Sequence, residues 1–319
     1  SQGELQTQDL GLLTSDDIYF ADQVQGGEVR QYQFLVPPGM LGFKIRLESR
    51  VGNPAFVLRQ GDKTPDPGAS IPGSETYGNE GGYSSTDGNT TLFTVPNPLP
   101  GTYTLVVKGR QLNGAYPDAS YVLHLQETLV PELNFSSDSN TNGLINVASG
   151  VLDDNERVYY KFIIPATNAG QPVIGWKLTL AQSSGLASMR VRKDILPSDA
   201  QSSTQMPFAN AQAIIVPPFL TNGVWYVEVK GSGSTAFTLT SSPLLLERPA
   251  WIMPAPGETN QAPGVTAPLF GDSGIDTNGS ALPADQSIFL EQGSLHYFAV
   301  AIPEKNYGVL RAALEAISG

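Results

Sequence analysis

No cysteine occurs anywhere in the 319 residues. That excludes disulfides, thiolate metal sites and cysteine nucleophiles. Histidine is nearly absent too, with only His124 and His296. Positive charge is scarce: 18 Lys and Arg stand against 30 Asp and Glu, a net charge of −12. Nucleic-acid binders carry a basic face, and none is visible here, so no nucleic-acid partner is expected. No apolar run approaches the roughly 18 residues of a spanning helix, so no membrane insertion is expected. No Gly-x-Ser-x-Gly, His-Glu-x-x-His or phosphate-loop pattern is present. "GSGST" at Gly231–Thr235 reads as a hairpin turn, not a phosphate cradle. The chain is therefore read as non-enzymatic.

What the chain does have is glycine, proline and short alternating apolar runs. It holds 33 Gly and 25 Pro, with 40% hydrophobic residues. "GTYTLVVKG" at Gly101–Gly109 returns as "GVWYVEVKG" at Gly223–Gly231. "YQFLVP" at Tyr32–Pro37 matches "YKFIIP" at Tyr160–Pro165 and "FAVAIP" at Phe298–Pro303. "GFKIRL" from Gly42 matches "GWKLTL" from Gly175, and "FVLRQ" from Phe56 matches "MRVRK" from Met189. Glycines Gly52 and Gly185 fall between these runs in both copies. The spacing is too long for a solenoid repeat, so a whole domain is duplicated. The runs alternate with period two and are bounded by Gly, Pro, Asn and Asp, which predicts antiparallel β-sandwiches. "YGVLRAALEAI" at Tyr307–Ile317 is the best helical candidate; it aligns with a strand in the other copies and is read as one.

The expected organisation is a lead-in over 1–14, a first sandwich over 15–127 and a second over 128–247. A Pro-rich linker follows over 248–271, extended and semi-rigid. A third sandwich begins at 272 and lacks the strand that carries the "GTYTLVVKG" motif, so the third copy is incomplete and the natural protein is expected to be longer. The fold class is thus all-β, with tandem antiparallel β-sandwich domains.

The ordered set "YYKFIIP", "GWKLTL", "MRVRKDILPS", "GVWYVEVKG" and "FTLTS" resembles the bacterial pre-peptidase C-terminal domain, in the form repeated in large secreted proteins. The first copy departs in detail but keeps "YQFLVP", "FVLRQG" and "GTYTLVVKG". The resemblance implies a jelly-roll-like sandwich that is not itself catalytic and accompanies secreted proteases and other exported enzymes. It implies a secreted or cell-surface location, towards which the low Lys and high Thr, Ser, Asn and Gly content also leans. Relatives on collagenases bind collagen and Ca²⁺, the metal lying in the segment that leads into the sandwich.

An oxygen-rich segment precedes each copy's first aromatic strand. These carry Asp16, Asp17 and Asp22, then Asp138, Asp153 and Asp154, then Asp272 and Asp276. Hard cations take clustered carboxylates and carbonyls, so these are candidate Ca²⁺ ligands; Asp, Asn, Ser and Gly also dominate ordinary turns. A long loop, Gly73–Thr91, is unique to the first copy and carries Tyr77, Asn79, Tyr83 and Asp87, the mix that binding loops use. Trp176 and Trp225 match Phe43 and Tyr103 and are expected in cores, and Trp251 is expected to pack the linker onto the second sandwich. His124 is out of phase with Leu123 and Leu125 and reads as a solvent-facing residue, and His296 as an exposed one. The expected function is a spacer or adhesive module of a larger exported bacterial protein, whose partners are the remaining domains of that polypeptide. The alternative is a targeting module holding a protease or other hydrolase on extracellular protein fibre or polysaccharide.

Overall fold

A computed structural model of the chain describes residues 5–65, 84–85, 92–137, 143–168, 170–198, 204–206, 211–216, 219–245, 251–252 and 300–301. Among the described residues there is no α-helix, and no helix is long and apolar enough to cross a membrane. The fold is an all-β sandwich in two copies.

The first copy comprises β1 (Thr7–Leu12), β2 (Ile18–Val24), β3 (Val29–Val36), β4 (Gly42–Val51), β5 (Pro54–Gln60), β6 (Ser84–Ser85), β7 (Leu92–Pro96), β8 (Gly101–Gly109) and β9 (Ala119–Glu127). One sheet has the order β1-β3-β8-β5-β6 and the other β2-β9-β4-β7. The alternation seen in sequence puts one side chain in two between the sheets. Phe34, Phe56, Leu58, Tyr103, Leu105 and Val107 from the first sheet meet Phe43, Ile45, Leu123 and Leu125 from the second in one buried cluster. Phe34, Phe43 and Tyr103 form its aromatic centre, with ring centroids 5.3–5.7 Å apart. Each such side chain contributes about 1.5–3 kcal/mol by leaving water.

The second copy comprises β10 (Glu132–Leu133), β11 (Val147–Leu152), β12 (Arg157–Ile164), β13 (Thr167–Asn168), β14 (Gln171–Lys193), β15 (Thr204–Met206), β16 (Ala211–Ile215) and β17 (Gly223–Leu245). Its strands run β10-β12-β17-β14-β13, with β11 also on β17 and β15 and β16 also on β14. Several strand pairings recur in both copies. The first half of β17 pairs with β12 and its second half with β11. In the first copy β8 pairs with β3 and β9 with β2. Two strands of the first copy are thus fused into one 23-residue strand in the second. Gly231–Thr235 is consequently not a hairpin turn. The flanking segments bond to different strands, and the glycines bend one strand between them.

Three sequence expectations change. The segment expected as a lead-in carries β1, which pairs with β3 in parallel; β10 pairs with β12 in the same sense. The sandwiches are therefore not purely antiparallel. Within the expected linker, β18 (Trp251–Ile252) pairs in parallel with β19 (Val300–Ala301). Val300 aligns with Phe162, the partner of Leu133, so β18 stands to the third copy as β10 stands to the second. The rest of the linker, the rest of the third copy, His296 and Tyr307–Ile317 lie outside the described residues.

Compactness divides the chain into two units. One holds Ser1–Ile164, Leu178–Ile214 and Thr221–Ser242; the other holds Pro165–Lys177, Ile215–Leu220 and Pro243–Gly319. In the second unit Trp176 is fully buried and β13 pairs with the start of β14.

Candidate functional site

The repeated "G-x-[YW]" is a corner. Gly101 and Gly223 have φ of 128° and 127°, a region that favours glycine. Two residues on, the Tyr103 hydroxyl donates to the Leu99 carbonyl at 3.1 Å, and the Trp225 indole N–H donates to the Thr221 carbonyl at 2.8 Å. Each aromatic fills a core and closes the turn four residues behind it. Gly52 and Gly185 are shared for a second reason: a Cβ would lie 2.5 Å from the Asp118 carbonyl oxygen at the first and 2.4 Å from that of Ser234 at the second.

The polar clusters, by contrast, differ between copies. On the outer face of the four-stranded sheet, His124 of β9 is 7% exposed. Its Nδ1 lies 2.7 Å from Glu48 Oε1 on β4, and its Nε2 lies 3.0 Å from Asp17 Oδ2, just before β2. The Tyr19 ring stacks on the imidazole at 4.1 Å and is itself 60% exposed. His124 therefore does not face solvent. It points away from the core as its phase requires, but side chains from both flanking strands cover it. In the second copy the aligned residues are Ile145 for Asp17, Val147 for Tyr19, Ala181 for Glu48 and Thr240 for His124.

Inside the first sandwich, Tyr121 donates to the Tyr32 oxygen and Tyr32 donates to Asp22 Oδ2, each at 2.5 Å. Burial and then the Asp22 hydrogen bond push the Tyr32 hydroxyl well above the usual phenol range. Burial raises that of Tyr121 as well. The aligned pair for Asp22 and Tyr121 is Gly150 and Phe237.

The second copy has its own buried charge. Glu228 has no exposed surface. It accepts from Arg190 at 3.1 Å, Arg157 at 3.3 Å and the Tyr159 hydroxyl at 3.1 Å. Three hydrogen bonds offset the cost of a carboxylate in a dry site. The first copy has Val106, Val57 and Val29 where Glu228, Arg190 and Arg157 stand. Tyr159, Leu196 and Tyr226 cover this face of the sheet.

The two sandwiches meet through charged and amide side chains. Arg46 of β4 reaches Asp153 Oδ2 at 3.0 Å with one nitrogen and Glu156 Oε1 with the other. Lys44 reaches the same Glu156 oxygen at 3.2 Å. The other Glu156 oxygen accepts from the Asp153 N–H at 3.0 Å, closing the β11–β12 turn. Burial alone would raise the Glu156 carboxyl; the Asp153 N–H, Lys44 and Arg46 outweigh it and hold it below the usual range. Burial lowers Lys44 below the ordinary lysine value despite Glu156. Elsewhere Asn97, beyond β7, clamps the Leu196 backbone both ways, donating at 2.7 Å and accepting at 2.9 Å.

The candidate calcium ligands are dispersed among these contacts. Asp17 is on His124, Asp22 on Tyr32, and Asp153 on Arg46. Asp154 accepts from the Gly233 N–H at 2.8 Å. Asp16 is exposed beside Thr14, whose hydroxyl takes its N–H. Among the described residues no group of three acidic or histidine side chains is arranged to hold a metal ion. Asp138, Asp272, Asp276, Tyr77, Asn79, Tyr83 and Asp87 lie outside the described residues. Trp176 and Trp225 are core residues, as expected. Sequence reading missed Glu48, Glu228, Arg157, Arg190, Lys44, Arg46, Glu156 and Asn97 as interacting residues.

No family model matches the chain, and no curated protein matches it either. Solved structures with detectable likeness include the periplasmic inhibitor of g-type lysozyme from Aeromonas hydrophila. It is 13% identical over 36% of this chain and 96% of that one, at a TM-score of 0.26. The Salmonella Typhimurium inhibitor is 19% identical over 37% and 97%, at 0.22. The protein YhaK from Escherichia coli is 11% identical over 70% and 83%, at 0.19. At these scores no argument about activity follows.

Proposed function

We propose that the chain is a non-catalytic part of a larger exported bacterial protein, similar to the pre-peptidase C-terminal domain, and that its sandwiches serve as spacer or adhesive modules. The observation that supports this reading is what the two copies share. Gly52 and Gly185, Gly101 and Gly223, and Tyr103 and Trp225 all shape the backbone or fill the core. The side-chain clusters that the copies do not share are the polar ones. A duplication that keeps the framework and varies the polar groups fits modules selected for shape.

A second reading, a targeting module for an attached hydrolase, draws on Tyr19. Its exposed ring, backed by His124 and absent from the second copy, is a platform of the kind extracellular polymers stack on. One experiment separates the two. The chain is passed over immobilised collagen, gelatin and a panel of polysaccharides, and incubated with peptide and glycoside substrates. The spacer reading expects neither retention nor turnover. Retention lost in Tyr19→Ala would favour targeting or adhesion through that ring over a passive spacer, and turnover would overturn the non-catalytic reading.

A further inference from the structure

We infer that the second sandwich is latched onto the first in one fixed orientation, with the Asp153–Glu156 turn as a plug and the Lys44–Arg46 face of β4 as its socket. The inference deepens the spacer reading and rests on it only for its biological use.

The connection between the copies is short and held at both ends. The Thr128 N–H donates to the Gly42 carbonyl of the first sandwich at 2.8 Å, and the Lys161 N–H of the second donates to the Pro131 carbonyl at 3.0 Å. A tether alone permits rotation. The plug adds a second point of attachment and the Asn97–Leu196 clamp a third, made by different strands. Three separated attachments remove the hinge.

The plug contact is also unlike an ordinary surface ion pair. Lys44 and Glu156 keep only 12% and 14% of their side-chain surface exposed, so solvent screens them less than a typical exposed pair. Arg46 divides its fork between two carboxylates, a geometry lysine cannot reproduce.

The pairing is directional. The aligned turn in the first copy is Gln25-Gly26-Gly27-Glu28, which lacks the aspartate, and the aligned socket in the second copy is Lys177 and Thr179, which lacks the arginine. Plug and socket are complementary in one order only, so the sequence records which copy precedes which.

The test exploits the absence of cysteine. Leu112 and Leu186 are exposed, one on each sandwich. Leu112→Cys with Leu186→Cys in the full chain carries two spin labels for pulsed distance measurement. A single narrow distance distribution is expected, at least twofold narrower than that of the same chain with Lys44→Ala, Arg46→Ala and Asn97→Ala. A charge swap keeps the test independent of how that variant folds: Arg46→Asp broadens the distribution, and adding Asp153→Arg narrows it again. A parent distribution as broad as the variants', or variants as narrow as the parent, overturns the latch. So does a swap that fails to narrow. A loose junction leaves the assays of retention and turnover untouched, so the two readings fail separately.

Discussion

Tyr103 and Trp225 occupy one position in two sandwiches and do one job with different chemistry. A phenol O–H in the first and an indole N–H in the second each reach the carbonyl four residues back. Tyr103→Phe keeps the ring and loses only that bond, so it should cost about 1 kcal/mol. Trp225→Phe loses the bond and also leaves a void, so it should cost more. Urea unfolding with both variants checks the ranking; equal costs would mean the corner bonds do not matter.

Glu228 is a buried carboxylate with two guanidinium groups and a phenol on it. Glu228→Ala leaves buried positive charge uncompensated and should cost about 3–5 kcal/mol. Val106→Ala, at the aligned position of the first copy, removes only methyl groups from a buried site and should cost markedly less. Thermal or chemical unfolding of both variants decides; similar losses would show that the ionic cluster is not coupled as the geometry requires.

His124→Ala removes the group that joins β4, β9 and the segment before β2. Asp17 and Glu48 are partly exposed, so solvent recovers much of the loss, and about 1 kcal/mol is expected. Thr240→Ala, the aligned change, should stay within about 0.5 kcal/mol. Loss of the Tyr19 stack should also appear in near-ultraviolet circular dichroism for His124→Ala and not for Thr240→Ala.

Acid should open the junction. Glu156 is held below its usual range in the folded chain. A carboxyl depressed by folding contributes stability that is full above its unfolded value and is lost as pH falls through its folded value. Lowering the pH through and below the ordinary glutamate range should therefore broaden the label distances while both sandwiches stay folded. Glu156→Gln should already show a broader distribution at neutral pH and a smaller further acid response, since the Arg46–Asp153 pair remains.

Calcium is tested by melting the chain in EDTA and in millimolar Ca²⁺. Asp153 and Asp154 already serve Arg46 and Gly233, so replacing both with Asn should leave any calcium response unchanged. A calcium-specific rise in Tm that these changes abolish would place the metal at that turn.

How much of this the sequence disclosed depended on range. The sandwiches were readable because inward residues such as Phe34, Ile45 and Leu123 alternate with polar ones, and because the corner glycines recur. β1 was not readable: "TQDLGL" lies exposed at a sheet edge, so no periodic burial marks it. The His124 cluster was hidden because its partners lie 76 and 107 positions away. Glu228 looked like an ordinary outward residue, since alternation says which face a side chain takes and not whether that face is dry. Setting the copies side by side would have found it: three positions that are valine in one sandwich are two arginines and a glutamate in the other.

The fused strands of the second copy have a mechanical consequence. In the first copy β8 and β9 are separate strands, joined by residues 110–118, which belong to neither ladder. In the second copy β17 runs without a break from its pairing with β12 to its pairing with β11. Tension applied to one ladder is carried along the same backbone into the other. The second sandwich has no fuse at that crossing, so under load its two ladders should yield together, and the first sandwich should give way in stages.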